Sequence, residues 1–220
     1  MVYSCCMSLR PEIPDDDSPI MALHDRAIDN LAFIRDAMAR SAPLTAVSGW
    51  GVVGMGTIAL AGSYVAALRL TLDWWIYWWL AVACLGCLTG LISTAVKARR
   101  TNAPMFTQVL RKFALSLFPP IVAGIVLTEI LYENSRPDLM PGTWLLLYGV
   151  GVVTGGAFSV SVLPMMGASF MVLSMGAFYP PAHMFEPMVG MYCTADVLLA
   201  VGFGGLHVLY GLLIALRYGG

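Results

Sequence analysis

The chain has 220 residues, of which 59% are hydrophobic and 11% charged, with a formal net charge of −1 and a mean hydropathy of +0.77. Soluble globular proteins carry about 25% charged residues, so this composition excludes a water-soluble shell and makes lipid the expected solvent. The net charge near zero says nothing about partners.

The N-terminal part of the chain is more polar than the rest. Residues 1–17 are rich in acids and lack the apolar segment of a signal peptide, so they are predicted to form a disordered acidic tail. Ser18 and Pro19 are typical of a helix start, and apolar residues then recur at helical spacing. Residues 18–41 are therefore predicted to form an amphipathic helix on the cytoplasmic membrane surface. A docking helix for another protein is the alternative.

Residues 42–220 are predicted to form an all-α transmembrane bundle of six spans, since a spanning helix needs roughly 20 apolar residues. The segments, numbered spans one to six, lie at about 44–68, 74–96, 113–133, 142–162, 165–180 and 196–216. Spans four and five together are too long for one crossing, so the chain must turn between them, and Pro164 is the predicted turn. Span five is short, and a re-entrant segment is its alternative.

Basic residues are distributed unequally between the two sides that six spans define. One side carries ten of them, namely Arg10, Arg26, Arg35, Arg40, Lys97, Arg99, Arg100, Arg111, Lys112 and Arg217. The other side carries Arg69 and Arg136. The positive-inside rule therefore predicts that both termini lie in the cytoplasm.

Spans two and three have distinctive starts. Span two begins with DWWIYWW, residues 73–79, which is typical of an interfacial aromatic belt, with a ligand-stacking site as the alternative. Residues 97–112 form a basic loop that is interpreted as a topology determinant near anionic lipid. Pro119 and Pro120 lie near the start of span three, so that helix is predicted to kink or to begin late.

Small residues at four-residue spacing predict close packing between spans four and six. In span four they are Gly151, Gly155 and Ser159, and in span six Gly204 and Gly211 belong to similar pairs. Such spacing places the small residues on one helix face, where a neighbouring backbone can approach closely.

The glycines have a second interpretation, an inverted repeat. GVVGMG at 51–56 and GVVTGG at 151–156 match at four of six positions, and the two halves of a six-span chain have opposite orientations. Many transporters build a site at the middle of the membrane from glycine-weakened helices in matching places.

His207 lies near the middle of span six, and an ionisable residue inside the membrane is a functional candidate. The residues considered with it as a transport site are Glu129, Thr154, Ser159 and Tyr148. A neutral histidine that is hydrogen-bonded to Thr154, Ser159 or Tyr148 is the structural alternative, and a solvated helix end is the alternative for Glu129. A haem held by two histidines is not expected, because the other histidines lie outside the predicted spans.

Soft metal ligands gather between spans five and six, a pattern that suits Cu(I). They are His183, Met184, Met188, Met191 and Cys193. Packing or membrane contact is the simpler interpretation, because methionine is abundant throughout the chain. Cys84 and Cys87 form a C-x-x-C pair inside span two and are interpreted as small core residues rather than as a redox pair.

Four blocks of the sequence carry a family resemblance. They are LAFIRDAMARSAPLTAVSGWG (31–51), FALSLFPP (113–120), WLLLYGVGVVTGGAFSV (144–160) and FGGLHVLYGLLIALRYGG (203–220). Together they resemble an uncharacterised family of small six-helix bacterial integral membrane proteins. The resemblance implies a six-helix fold in the bacterial cytoplasmic (inner) membrane, and it implies no activity, since none is assigned to that family.

The sequence contains no nucleotide-binding, hydrolase or metallopeptidase motif, so neither an enzyme nor a cofactor is expected. The favoured hypothesis is an accessory or scaffold subunit of a larger membrane assembly. Its partners would be the lipid bilayer and other membrane proteins or a second copy, and not nucleic acid. The alternative is a small-solute or ion/proton-coupled transporter with a midplane site between spans one, four and six. Metal or redox cofactor binding is a weaker alternative.

Overall fold

The structure is a computed structural model that describes residues 28–31, 48–68, 71–100, 108–157, 159–178 and 191–218. The chain divides into two units, Met1–Ala42 and Pro43–Gly220. In the first unit the described part is one exposed helical turn at 28–31. The predicted acidic tail and most of the predicted amphipathic helix therefore lie outside the described residues.

The described part of the second unit is helical and contains no strand. Its helices in chain order are α1 (Gly49–Ala66), α2 (Leu72–Arg100), α3 (Gln108–Glu133), α4 (Met140–Gly156), α5 (Val162–Phe178), α6 (Met191–Leu199) and α7 (His207–Tyr218). A 3-10 turn, Pro137–Leu139, leads into α4, and a π-helical segment, Ala200–Leu206, joins α6 to α7. The predicted all-α class is confirmed.

Five helical stretches are long and apolar enough to cross a membrane. They are Gly49–Ala66, Leu72–Arg100, Leu110–Glu133, Pro137–Gly156 and Thr194–Tyr218. They correspond to predicted spans one, two, three, four and six. The helix at predicted span five, α5, is apolar but has 17 residues, which gives a length of about 25 Å and leaves it short of that criterion.

The predictions about prolines were a kink or a late start in span three and a turn at Pro164, and the late start and the turn are wrong. α3 begins at Gln108 and continues through Pro119 and Pro120, so the helix does not begin late. The chain leaves α4 after Gly156 and enters α5 at Val162, so Pro164 lies in the first turn of α5 rather than at the turn between helices. A proline is tolerated there because the first N–H groups of a helix have no intrahelical partner.

α4 and α5 pack antiparallel with their backbones in contact. A Cβ atom on Gly149 would lie 2.7 Å from the carbonyl oxygen of Gly167. In return, a Cβ atom on Gly167 would lie 2.7 Å from the backbone nitrogen of Val153. Because glycine has no Cβ, it lets two helices approach to this separation.

α1 and α7 repeat this packing. A Cβ atom on Gly211 would lie 2.7 Å from the backbone nitrogen of Val53 and 3.1 Å from the carbonyl oxygen of Gly49. The same relation holds in the α4–α5 pair, and the two central helices share the pattern G-x-G-V-V-x-x-G, at 49–56 and 149–156. The glycines of both central helices therefore serve close helix packing.

The reciprocal glycine contact joins helix pairs that a repeat of chain halves would not make equivalent, although the packing of whole helices, α1 against α2 and α7 and α4 against α5 and α3, fits such a repeat. A repeat of the first three and last three spans would give α1 and α4 equivalent partners, α2 and α5. The reciprocal glycine contact of α1 is instead made with α7, the last helix of the chain. The recurring feature is one close glycine contact between two helices. It occurs once between helices that are neighbours in the chain, α4 and α5, and once between α1 and α7.

The predicted small-residue ladders also have different partners from those expected. Gly151 and Gly155 face α3, and Gly204 and Gly211 face α1. Ser159 follows the end of α4. Spans four and six do meet, but they do so through larger side chains, which form the candidate site.

Candidate functional site

His207 is the first residue of α7 and directly follows the π-helical segment. Its residue surface is 3% exposed. It is also near the middle of the stretch Thr194–Tyr218 that is long enough to cross a membrane. A buried histidine is thus held at mid-depth, next to a break in regular α-helical hydrogen bonding.

The two ring nitrogens of His207 have different surroundings. Nε2 lies 2.8 Å from the hydroxyl oxygen of Tyr148 on α4 and shares a hydrogen bond with it, whose direction follows the imidazole tautomer. Nδ1 lies beside the backbone carbonyls of Gly202 and Phe203 in the π-helical segment. It satisfies hydrogen-bond geometry with neither of them, nor with any other described residue.

Aromatic rings enclose the imidazole. The ring centroid of Tyr148 lies 4.9 Å from that of Phe170 and 5.2 Å from that of Phe203. The His207 ring centroid lies 5.4 Å from Phe170 and 6.1 Å from Phe203. These four residues, from α4, α5, the π-helical segment and α7, are called the histidine cluster below. Their mutual ring contacts shield the imidazole from lipid and water.

A second polar contact lies one helical turn further along α7. The hydroxyl oxygens of Tyr210 and Ser169 are 2.7 Å apart, and Ser169 belongs to α5. The Ser169 hydroxyl also donates to the carbonyl of Met165 at 3.0 Å. α7 therefore makes two polar contacts with the α4–α5 pair, one through His207 to α4 and one through Tyr210 to α5.

A third polar contact holds a buried carboxylate at the opposite side of the π-helical segment. Asp196 in α6 is 5% exposed. The indole N–H groups of Trp75 and Trp79 both donate to its Oδ1, at 2.6 and 3.2 Å. Two neutral donors on one oxygen stabilise the carboxylate through charge-assisted hydrogen bonds.

Trp144 extends this contact to α3 and α4. Its ring stacks on Trp75 with centroids 5.6 Å apart and an interplanar angle of 13°. Its indole N–H donates to the Thr128 hydroxyl at 2.8 Å. Trp75, Trp79, Trp144 and Asp196 are called the indole cluster below. This cluster ties α2, α3, α4 and α6 together at one end of the bundle.

The predicted transport residues do not all meet. His207 and Tyr148 are in contact, but the Thr154 hydroxyl donates to backbone carbonyls of its own helix at 2.9 and 3.1 Å. Ser159 lies beyond the end of α4, and Glu129 is exposed on α3. The structure therefore reduces the five candidates to one pair.

The predicted metal ligands are outside the part of the chain that can test them. His183, Met184 and Met188 lie outside the described residues. Met191 and Cys193 begin α6, and their side chains are not among those described. Among the described residues, no group of three or more His, Cys, Asp or Glu side chains is placed to hold a metal ion. Cys84 and Cys87 are free and exposed on α2.

The indole cluster was not predicted from the sequence. DWWIYWW was interpreted as one interfacial belt, but Trp75 and Trp79 are 1% and 4% exposed, whereas Trp74 and Tyr77 are 38% and 71% exposed. The tryptophans occur as two pairs four residues apart, and such pairs lie on two different helix faces. That spacing indicates that one tryptophan pair faces the interior of the bundle, and the acid at the start of the last apolar segment is a candidate partner for its indole N–H groups.

Comparison of the chain with protein-family models, with curated proteins and with solved structures gives no match in any of the three.

Proposed function

We propose that the protein is a small transporter that moves protons, with or without a small solute, through a membrane site centred on His207. The observation that carries this proposal is the contact between the buried His207 and the half-buried Tyr148, which lies between two helix pairs near the middle of the last apolar stretch. Ionisable groups are rare inside membranes, and where they occur they mark ion or proton pathways.

The chemistry of imidazole suits this role. A neutral imidazole has one donor nitrogen and one acceptor nitrogen, so it can accept a proton at one and release a proton from the other. In His207 the two nitrogens face different neighbours, a hydroxyl at Nε2 and two carbonyls beside Nδ1. The ring therefore connects a group on α4 with the backbone of the π-helical segment.

The local backbone also favours a functional site. The N–H of His207 bonds to the carbonyl of Gly204, three residues earlier, where a regular α-helix bonds four residues earlier. π-helical segments occur frequently at functional sites, and interrupted helices line the sites of many transporters.

The position of the site suits alternating exposure. His207 belongs to the α1–α7 pair, while Tyr148 and Phe170 belong to the α4–α5 pair. Within each pair, glycines bring the two helix backbones into direct contact. Between the pairs, the contacts are made by side chains. A small relative movement of the two pairs would change the surroundings of His207 and leave each pair intact.

The proposal includes a topology in which the chain crosses the membrane six times and both termini lie in the cytoplasm. α5 is short, yet it runs along the whole of α4, since Gly142 lies against Phe178 at one end and Gly156 lies against Leu163 at the other. If α4 crosses the membrane, then α5 crosses beside it. The ten-to-two distribution of basic residues supports the same topology. The bacterial inner membrane and the family resemblance stay predictions.

The test is proton flux into liposomes that contain the purified full-length protein and a trapped pH-sensitive dye, driven by a potassium diffusion potential. We expect wild-type liposomes to acidify faster than empty ones, and His207→Phe to lower the rate by about tenfold or more, because proton transfer by a positioned group contributes at least this much. Thr154→Ala is the matched control, because Thr154 bonds only to its own helix in the described contacts.

Equal rates for wild-type and empty liposomes would refute the proposal. So would a His207→Phe protein that carries wild-type flux. Gel filtration and thermal unfolding of each variant show whether a lost rate reflects the site or the fold.

An accessory subunit is the second candidate, and α3 is the feature that favours it. None of the described residues 110–133 is buried, and α3 contacts the rest of the described bundle mainly along α4. An apolar helix with so little cover within its own chain suits packing against another membrane protein. Native mass spectrometry after gentle extraction from native membranes tests this idea, since a scaffold subunit should carry stoichiometric partners and a lone species would count against it.

A further inference from the structure

We infer that the basic end of the bundle binds an anionic phospholipid, whose phosphate group contacts arginines at the ends of α2 and α3. These arginines are Arg99 and Arg100, in the last turn of α2, and Arg111, the fourth residue of α3. The inference goes beyond the proposed proton transport and does not depend on it.

The described part of the second unit has an acidic side and a basic side. The Tyr132 hydroxyl, near the end of α3, donates to Asp73, near the start of α2, at 2.7 Å. These two helices therefore run antiparallel, and their other ends lie on the opposite side of the bundle. The bases at those other ends are Lys97, Arg99, Arg100, Arg111 and Lys112. The acids of the described second unit lie on the Asp73 side, and they are Asp73, Glu129, Glu133, Asp138 and Asp196.

The arginines lie at the depth of lipid headgroups. At 1.5 Å per residue, α2 extends about 39 Å from Asp73 to Arg99, and α3 extends about 33 Å from Arg111 to Glu133. The hydrocarbon core of a bilayer is about 30 Å thick, and the headgroups bring the total to about 40–45 Å. The exposed Trp74 at the start of α2 is typical of a membrane interface. With the acidic side at one interface, the arginines reach the headgroups of the opposite leaflet.

The arginines are suited to a phosphate group. All three are exposed, and the described part of the second unit has no acid on their side. A guanidinium group is always charged and can bind two phosphate oxygens at once. Helix stability does not account for Arg111, because the helix dipole disfavours a cation near an N-terminus and the first turn of α3 has no acid to offset it. An external anion would supply the missing negative charge.

The surface beside the arginines favours a lipid over a soluble anion. Leu91 and Ile92 on α2 are exposed, and so are Leu115 and Phe118 on α3. Each lies within about two helical turns of the arginines of its own helix. α2 packs on α1 and α3 packs on α4, but α2 and α3 do not pack along each other in the described structure, so these apolar surfaces stay open. Acyl chains can cover them while the headgroup contacts the arginines, whereas inorganic phosphate or a nucleic acid would use the charge alone.

The test is native mass spectrometry of the purified full-length protein in uncharged detergent, titrated with phosphatidylglycerol or with phosphatidylcholine of the same acyl chains. We expect wild type to bind phosphatidylglycerol at a concentration about tenfold or more below that needed for phosphatidylcholine, because each base near an anionic lipid strengthens binding by about fivefold. The combined substitutions Arg99→Gln, Arg100→Gln and Arg111→Gln should remove this preference. Arg136→Gln is the matched control and should keep it, since Arg136 is exposed on the acidic side and forms an ion pair with Asp138 at 3.0 Å.

Equal binding of the two lipids by wild type would overturn the inference, and so would an unchanged preference in the triple variant. Inorganic phosphate is the competitor, and its displacing phosphatidylglycerol at equal concentration would mean that a free anion is bound instead of a lipid. Should the triple variant fail to fold, the salt dependence of wild type decides. Higher salt should weaken binding of phosphatidylglycerol and leave that of phosphatidylcholine unchanged, and an equal response of both lipids would contradict the inference. None of these measurements uses proton flux, so their outcome is separate from that of the proposed function.

Discussion

At the scale of single residues, the stability of a buried histidine depends on what its two ring nitrogens contact. In this bundle the Tyr148 hydroxyl is the partner of Nε2. Removing that hydroxyl would leave both nitrogens of His207 without a side-chain partner among the described residues. Hydrogen bonds between membrane helices contribute modestly, but a buried polar atom left without a partner adds a further cost.

Tyr148→Phe should therefore lower the free energy of unfolding by about 1 to 2 kcal/mol. The ring contacts with Phe170 and Phe203 would be kept, so the loss reports the hydroxyl alone. Denaturant unfolding in detergent measures it. Tyr77→Phe is the control, since Tyr77 is 71% exposed, and equal effects of the two substitutions would contradict the importance of the contact.

Part of this site was predictable from the sequence. An ionisable residue in an apolar segment is conspicuous, so His207 was identified, and Tyr148 was one of three partners considered. Asp196 is the first residue of predicted span six, and its burial was not predicted, because an acid at the end of an apolar run normally meets water. Its burial depends on two indoles from α2, a contact between residues 121 and 117 positions apart, which local pattern does not encode.

At the scale of helices, the glycines determine how closely two neighbours approach. In the α4–α5 and α1–α7 pairs alike, a glycine lies against the backbone of a second glycine and of the valine four residues after it. The pattern predicts close packing, but it does not name the partner helix, because every span offers an apolar surface. This is why the ladder of Gly151 and Gly155 was assigned to span six, although it faces α3.

Gly167→Ala should destabilise the bundle by about 1 to 3 kcal/mol, the usual cost of an overpacked core. The new Cβ atom would lie 2.7 Å from backbone atoms of α4, which cannot rotate away as a side chain can. Thermal unfolding measures the effect. Gly176→Ala on the same helix has no atom within 4 Å of the new methyl group, so its stability should stay at or above that of wild type. A neutral Gly167→Ala would refute the close crossing.

The π-helical segment fixes how α6 is rotated relative to α7. Deleting Gly205, which is exposed, should convert the segment towards an α-helix and rotate Asp196 by about 100° relative to His207. One of the two residues would then leave its partners. We expect loss of proton flux from a protein that still folds, measured in the liposome assay. Gly205→Ala is the control and should keep flux, because its Cβ has only one neighbour, at 4.0 Å.

At the scale of the whole molecule, the topology decides which end of the bundle faces the cytoplasm. Alkaline phosphatase needs disulfides and is active only outside the reducing cytoplasm. Fused after Ser135, it should be active, and fused after Ser159 or at the C-terminus it should be inactive. An active C-terminal fusion would contradict six crossings, because it would mean that α5 does not cross. The membrane class followed from composition, whereas the proposed crossing of α5 is inferred from its packing along α4.

The pairing of α1 with α7 has a consequence for how the protein is made. α4 and α5 are neighbours in the chain and can pair as soon as both leave the ribosome. About 160 residues separate Gly49 from Gly211, and at about 5–20 residues per second their synthesis takes roughly 10–30 s. During that time the glycine face of α1 has not yet paired with α7. The bundle is complete only when α7, the last helix, is inserted. Early termination of translation should therefore leave the α4–α5 hairpin intact and α1 open to quality-control proteases.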